Sequence, residues 1–290
     1  DRIVGQYVGS PLPARIGGAP CTAMSIFDAM VDPGFRRRGL LTRLGQAANA
    51  HWRSAGVAFA FGLPNEQWGS RTTALGWLPL CEFPWLVRIL RPEAILARRM
   101  AWPSLASVGA IGSAWRTLSP ARRVPAAWRF EQPDTPIAEL DDIAGAAQPA
   151  AIHICRGSRW VGKRYLECPD VDYRVLLARH EGRPAGYAVV RFDGGAGGRA
   201  TITEVVVTRD VANGRLALLA GIEDLCLSAG VASTRALAVP GTDLHTSLTE
   251  AGFRQQRYAF GLQCVPFTDA AQQARAAEDW HFDGGDFDVV

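Results

Sequence analysis

The tetrapeptide Ser-Ala-Gly-Val occurs twice, at residues 54–57 and 228–231, and the chain around each copy repeats one order of features. Upstream of each lies an apolar run with one acid three residues before its last valine, Asp28 before Val31 and Glu204 before Val207. Downstream come an apolar stretch, a proline and a glycine–aromatic pair, Gly76-Trp77 and Gly252-Phe253. Val31 to Pro64 and Val207 to Pro240 each span 33 residues, and each proline precedes its glycine by 12. A four-residue identity set inside equal flanking distances is not an accident of apolar composition, so the two halves share one fold.

Each copy reads as strand, glycine-containing turn, helix, strand, helix. In the first, residues 22–31 form the strand, residues 39–56 a helix stopped by Gly56, and residues 57–63 a short buried strand. A second helix follows Asn65 and ends at Leu75-Gly76, and residues 78–90 return as a strand. The Pro- and Arg-rich interval 91–125 joins the copies and carries a helix of its own. The second copy starts near Trp128, with a helix from Pro136 and two strands folded about Glu181-Gly182. Residues 182–190 match residues 1–9, which leaves residues 128–181 without a counterpart and predicts a first unit incomplete at its N-terminus. The expected division is a first domain at 1–92, a linker at 93–125, a second domain at 126–268 and a tail at 269–290, to which no role is assigned.

With 48% hydrophobic and 20% charged residues, the chain has enough apolar surface for buried cores, which excludes disorder. A net charge of +3 excludes a general polyanion binder, so no nucleic-acid partner is expected and basic clusters are read as local sites. The six cysteines are scattered, without CxxC spacing or adjacent histidines, which points away from zinc and a disulfide framework and toward a reducing cytoplasm. No apolar run reaches the roughly 18–20 residues a membrane-spanning helix needs.

The local site is the stretch Asp32-Pro33-Gly34-Phe35-Arg36-Arg37-Arg38-Gly39-Leu40-Leu41. A strand end, an arginine-rich turn, a glycine and a helix start make an anion site: the first helical amides lack intrahelical partners, and glycine lets a phosphate approach the backbone. Arg36, Arg37 and Arg38 add planar donors suited to a diphosphate. The stretch is neither a P-loop nor a dinucleotide fingerprint. It resembles the acetyl-CoA motif of the GNAT (Gcn5-related N-acetyltransferase) superfamily, [Arg/Gln]-x-x-Gly-x-[Gly/Ala] after a strand ending Val-x-Pro, with Val31, Pro33, Arg36 and Gly39 in place. Leu41 stands where the motif has Gly or Ala. Residues 64–77 also resemble that superfamily's later helix.

The resemblance implies an α/β (α+β) fold of two tandem GNAT-like domains, each a mixed central sheet flanked by helices. It implies acetyl-CoA, or another acyl-CoA, as co-substrate and no metal. The cofactor would lie between the strand ending at Val31 and the strand of residues 59–63, against Met30, Val31, Arg36, Arg37, Arg38, Gly39, Leu40, Leu41 and Asn65. Asp28, the one acid on the first strand, is the candidate base. The tyrosine that many family members use to protonate the thiolate is replaced by Thr72, with Ser70 nearby. The second copy has lost the arginine turn: its counterpart is two residues shorter and keeps only Arg209 and Arg215, so no CoA binding is expected there. Glu204 is either a relic or a substrate contact, and residues 159–169, mixing aromatic and cationic side chains, are structural or line a cleft facing the first unit. The implied activity is N-acyl transfer to a small amine or amino sugar. An aminoacyl-tRNA-dependent transferase and a non-catalytic GNAT-like binding protein are the alternatives.

Overall fold

The structure is a computed structural model, and it describes residues 2–65, 68, 71–100, 112, 114–115, 123–147, 150–273 and 276–287. The first unit runs β1 (Gly5–Ile16), β2 (Ala19–Val31), α1 (Leu40–Ser54), β3 (Phe59–Gly62), α2 (Arg71–Ala74), β4 (Leu78–Ile89) and α3 (Pro92–Met100). The second opens with β5 (Trp128–Glu131), α4 (Glu139–Ala147), β6 (Ile152–Ile154) and α5 (Ser158–Val161), which continues as a π-helical turn, Gly162–Leu166. It proceeds through β7 (Asp172–His180), β8 (Arg183–Asp193), β9 (Arg199–Val207), α6 (Gly214–Ser228), β10 (Ser233–Leu237), α7 (Asp243–Glu250) and β11 (Arg254–Pro266). The tail adds α8 (Asp269–Gln273), β12 (Trp280–His281) and a 3-10 turn, Gly284–Asp286. The helix expected after Asn65 is, among the described residues, the short α2. Ser70 and most of the interval after α3 lie outside the described residues.

The repeat is structural. Helices α1 and α6 each hold 15 residues, and each begins after a left-handed N-cap, Gly39 at φ 70° and Asn213 at φ 57°. Asparagine tolerates that conformation because its short amide bonds locally. In both units the strand before the turn pairs in parallel with the next strand only near its start: Ala23 to Ser25 lie opposite Phe59 to Phe61, and Arg199 to Ile202 opposite Ser233 to Ala236. Beyond those pairs the strands diverge, which opens a wedge in each half. Both strands also bulge beside their acid, between Phe27 and Met30 in β2 and at Thr203 in β9.

The strands form one twelve-stranded sheet in the order β12-β6-β1-β2-β3-β11-β4-β10-β9-β8-β7-β5. The last strand of each unit is wedged between the last two strands of the other, β11 between β3 and β4, and β4 between β11 and β10. Leu78 faces Cys264 and Val87 faces Arg254, within one residue of the register of a local two-fold axis between repeated strands, and the ladder is irregular between Gln255 and Ala259 and between Leu262 and Gln263. The buried guanidinium of Arg88 on β4 accordingly donates to Glu223 of α6 at 2.8 Å and to the carbonyl of Ala251. β4 and β11 thus join the strands of 1–92 and 126–268 in one continuous sheet.

Burial is uneven between the halves. β9 is buried at every position after Arg199 and α6 at ten positions, whereas α1 buries only Gly45 and Asn49. At Gly45 an added Cβ would sit 2.7 Å from a Leu75 methyl, so the helix lies close on the chain that follows it. The other edge of the first unit is completed from the second, β1 pairing with β6 and β6 in parallel with β12. Residues 153–164 and the tail are thereby carried to the first wedge.

Candidate functional site

The first wedge is an open cavity of about 500 Å³. Its walls come from β2 (Ser25 to Met30), the chain leaving β3 (Gly62 to Asn65), Trp68 and Trp77, and also from Trp160, Arg164, Asp286 and Phe287 of the second unit and tail. Asp28 is exposed and holds φ 48° at the bulge, where Tyr7 on β1 faces two residues of β2. Left-handed backbone is tolerated by aspartate better than by most residues, and a bulge withdraws one peptide unit from the ladder and re-aims it. The Asp28 carbonyl accepts from the Gln6 amide at 3.1 Å.

Below the wedge the arginine turn is fully formed. Asp32 accepts from the Gly34 amide at 2.9 Å and pairs with Arg2, pinning a 3-10 turn at Pro33–Phe35. Arg37 at φ 63° and Gly39 at φ 70° reverse the chain twice before α1 begins. The first intrahelical bond runs from Arg43 N to Gly39 O, so the amides of Leu40, Leu41 and Thr42 precede it and face outward at the positive helix end. The left-handed Gly39 leading directly into the right-handed helix makes a concave set of amides. Arg36 folds back on the Val31 carbonyl at 3.1 Å, and Arg38 reaches the Gly34 carbonyl and lies 5.2 Å from the Phe35 ring centre. All three arginines are exposed, and Arg37 makes no side-chain bond among the described residues.

Of the residues expected at the site, Asp28, Met30 and Asn65 share the cavity wall. Val31, Arg36, Arg37, Arg38, Gly39, Leu40 and Leu41 form the turn at its foot. Thr72 is not in the wall; it lies in α2, its carbonyl accepting from the amides of Leu75 and Trp77. No tyrosine lines the cavity among the described residues.

The second wedge is filled by the chain's own tail. Asp283 bridges to Ala238 just past β10, and its carboxylate accepts from the Val205 amide on β9. By the repeat, Val205 corresponds to Ala29 in the open wedge. The tail carboxylate thus takes the amide whose counterpart by the repeat, that of Ala29, belongs to the wall of the open wedge. Gly285 is required here, since a Cβ would overlap the Tyr165 hydroxyl and the Glu204 carboxylate.

Glu204, the counterpart of Asp28, is completely buried. It accepts from Tyr165 at 2.6 Å, from Tyr187 at 3.2 Å and from the Trp160 indole. Arg156 lies 3.6 Å from Glu204, 3.0 Å from Asp283 and 2.5 Å from Asp286. One cation facing three carboxylates leaves excess negative charge in a dry site. Burial pushes Asp286 up to about 7, with Arg156 pulling the other way and Asp283 adding repulsion. Burial also lowers the adjacent His281 to about 3 and His153 to about 4, so both are neutral at pH 7. Glu204 therefore contacts no solvent-borne substrate; it fixes Trp160, which walls the first cavity. Of the two readings open for residues 159–169, structural or lining a cleft, Trp160 and Arg164 meet the second, whereas the tail was invisible because its partners are distant in sequence.

Among the described residues no group of His, Cys, Asp and Glu is arranged to hold a metal ion, and no helix is long and apolar enough to cross a membrane. Residues 1–77 match the family model described as "Acetyltransferase (GNAT) domain". No curated protein matches the sequence significantly. Among solved structures, the fold is similar to a GCN5-related N-acetyltransferase from Anabaena variabilis at TM-score 0.65 and 11% identity, over 95% of this chain and 63% of that one. It is also similar to a conserved protein of unknown function and probable N-acyltransferase from Enterococcus faecalis, at 0.64 and 15%, over 92% and 60%. A third, a GCN5-related N-acetyltransferase from Kribbella flavida, gives 0.61 and 15%, over 95% and 60%. The chain thus spans about three fifths of the length of these structures.

Proposed function

We propose, from the match of residues 1–77 to the acetyltransferase (GNAT) domain and the GNAT-like fold, that the chain is an acyl-CoA-dependent N-acyltransferase active in its first wedge. The carrying observation is the asymmetry of the two halves. One wedge is open above an intact anion nest; the other has a shortened turn and is closed by the tail. The reading places the CoA diphosphate on the amides of Leu40 and Leu41 at Gly39, with Arg36, Arg37 and Arg38 around it. The pantetheine arm runs up the gap between β2 and β3, past Met30, Val31 and Asn65, and the thioester carbonyl accepts from the bulged strand near Asp28, where a preformed amide stabilises the developing oxyanion.

In the reaction the acceptor nitrogen forms a bond to the acyl carbon and the carbon–sulfur bond breaks. An alkylammonium with pKa around 10 is not a nucleophile, so a proton must leave first. Asp28, exposed on the cavity wall, takes it directly or through water. With no tyrosine in the wall and Thr72 outside it, the CoA thiolate is protonated from solvent. That absence also favours a second reading, an acyl-CoA-binding protein without turnover. The aminoacyl-tRNA-dependent reading has less support, since it has no need of an intact diphosphate nest. Calorimetry with acetyl-CoA, followed by mass spectrometry of an amine panel, separates these. No acetyl-CoA binding removes the proposal; binding without acylation of any amine leaves the second reading.

A further inference from the structure

Beside the first wedge lies a larger cavity of about 1030 Å³, formed where β1, α4, the residues around α5, and β9 meet. The two cavities share Ser10, Leu12, Trp160 and Arg164 in their walls, so the second opens next to the reacting centre. Among the described residues its wall carries Arg15, Arg156, Arg159, Lys163, Arg164 and Arg215 with one carboxylate, Asp141. Asp141 is already engaged, accepting from the amide and hydroxyl of Ser158 at 2.9 and 2.6 Å.

The cations differ in how well they are neutralised. Arg156 is outnumbered by its own three carboxylates and offers the cavity no free charge. Lys163 pairs with Glu167 and Arg215 with Asp243, in pairs that each include an exposed partner and hold their charges weakly. Among the described residues Arg15 bonds only the Gly18 carbonyl, and Arg159 is exposed without a partner. Arg164 bonds the Phe287 carbonyl and stacks 5.3 Å from the Trp160 ring centre, yet its buried Nε has no partner. With His153 and His281 neutral and Arg156 spent on its own carboxylates, the positive charge open to this cavity is that of Arg15, Arg159, Lys163 and Arg164.

We infer that this cavity holds the acceptor and that the acceptor is an anionic amine: a compound whose phosphate or carboxylate sits among Arg15, Arg159, Lys163 and Arg164 while its amino group reaches the first wedge past Trp160. The inference rests on the reading of the first wedge as the acyl-donor site. It narrows the acceptor from small amines in general to those carrying a negative group, because a cationic polyamine would meet like charge in the cavity.

The test uses the full chain saturated with CoA, so that the diphosphate nest is occupied. Glucosamine, glucosamine 6-phosphate and inorganic pyrophosphate are titrated by calorimetry into wild type and into the double variant Arg159→Glu, Lys163→Glu, both exposed positions outside the buried network. The expected result is tighter binding of the phosphate ester than of glucosamine, and a loss of about tenfold or more for both phosphate ligands in the double variant, with CoA affinity unchanged. Equal binding of the two sugars, indifference to charge reversal, or no binding of either phosphate ligand at millimolar concentration overturns the inference. Weakened CoA binding in the double variant also overturns it, by assigning the cavity to the donor. If CoA fails to bind the wild type while pyrophosphate still binds with the same charge dependence, the donor reading fails and the anion site stands.

Discussion

Arg156→Met tests whether the buried tail cluster is an electrostatic unit. Methionine fills similar volume without charge, leaving Glu204, Asp283 and Asp286 with no cation at 2.5 to 3.6 Å. Removing one partner of a buried pair typically costs about 3–5 kcal/mol, and here one cation serves three carboxylates, which places the loss at or above the upper end. At roughly 2–4 °C per kcal/mol, the melting temperature at pH 7.5 should fall by on the order of 10 °C or more. The sign of the pH dependence is the stringent part. Asp286 already sits near 7 through burial, and without Arg156 all three carboxyls rise further, so acidification neutralises them in the folded state. The same loss removes a repulsion that lowers His281 and His153. Both effects narrow the gap between variant and wild type as pH falls from 7.5 to 5. Urea unfolding at the two pH values measures it. A gap below about 1 kcal/mol at pH 7.5, or one that widens on acidification, would refute the account of a charge-frustrated network.

Four further outcomes are expected. Gly39→Glu should abolish acetyl-CoA binding, because φ 70° strains an L-residue and the carboxylate repels the diphosphate; calorimetry checks it. Asp28→Asn should lower kcat by about tenfold to a hundredfold with little change in CoA affinity, and unchanged turnover at neutral pH removes Asp28 as base. His281, lowered to about 3 when folded against 6.5 unfolded, gives stability that is full above 6.5 and lost toward 3; His281→Gln should flatten that acid loss by up to about 1.4 kcal/mol per pH unit in thermal melts. Gly285→Ala should destabilise by about 1–3 kcal/mol through overlap with Tyr165 and Glu204, and limited proteolysis should then cut the tail first.

Equal spacings around Val31 and Val207 made the repeat legible, and the paired 15-residue helices with left-handed caps at Gly39 and Asn213 follow from it. The anion turn was legible because its chemistry is local: charge, glycine and helix start are contiguous. Strand exchange was not, since alternation of apolar residues in β4 and β11 says that each is a strand and nothing about its neighbour. The fate of Glu204 was equally hidden. Its spacing matches Asp28, but its environment comes from Arg156, Tyr165 and a carboxylate pair in the tail, all far away in sequence. Thr72 was placed by counting back from Gly76, and it is not among the described residues that line the cavity.

The interleaving of β4 and β11 governs the order in which this chain is able to mature. β3 emerges from the ribosome with its antiparallel neighbour still unsynthesised, since Pro266 follows Gly62 by about 200 residues. At 5–20 residues per second that is a wait of roughly 10–40 s during which the edge of β3 is bare and the first cavity lacks Trp160, Arg164 and Phe287. A cut in the connecting interval after synthesis, by contrast, should leave two polypeptides clasped by their own hydrogen bonds, copurifying as one particle until denaturant parts them. Birth of the N-terminal half alone and its survival after nicking are therefore opposite cases, although the residues present are the same.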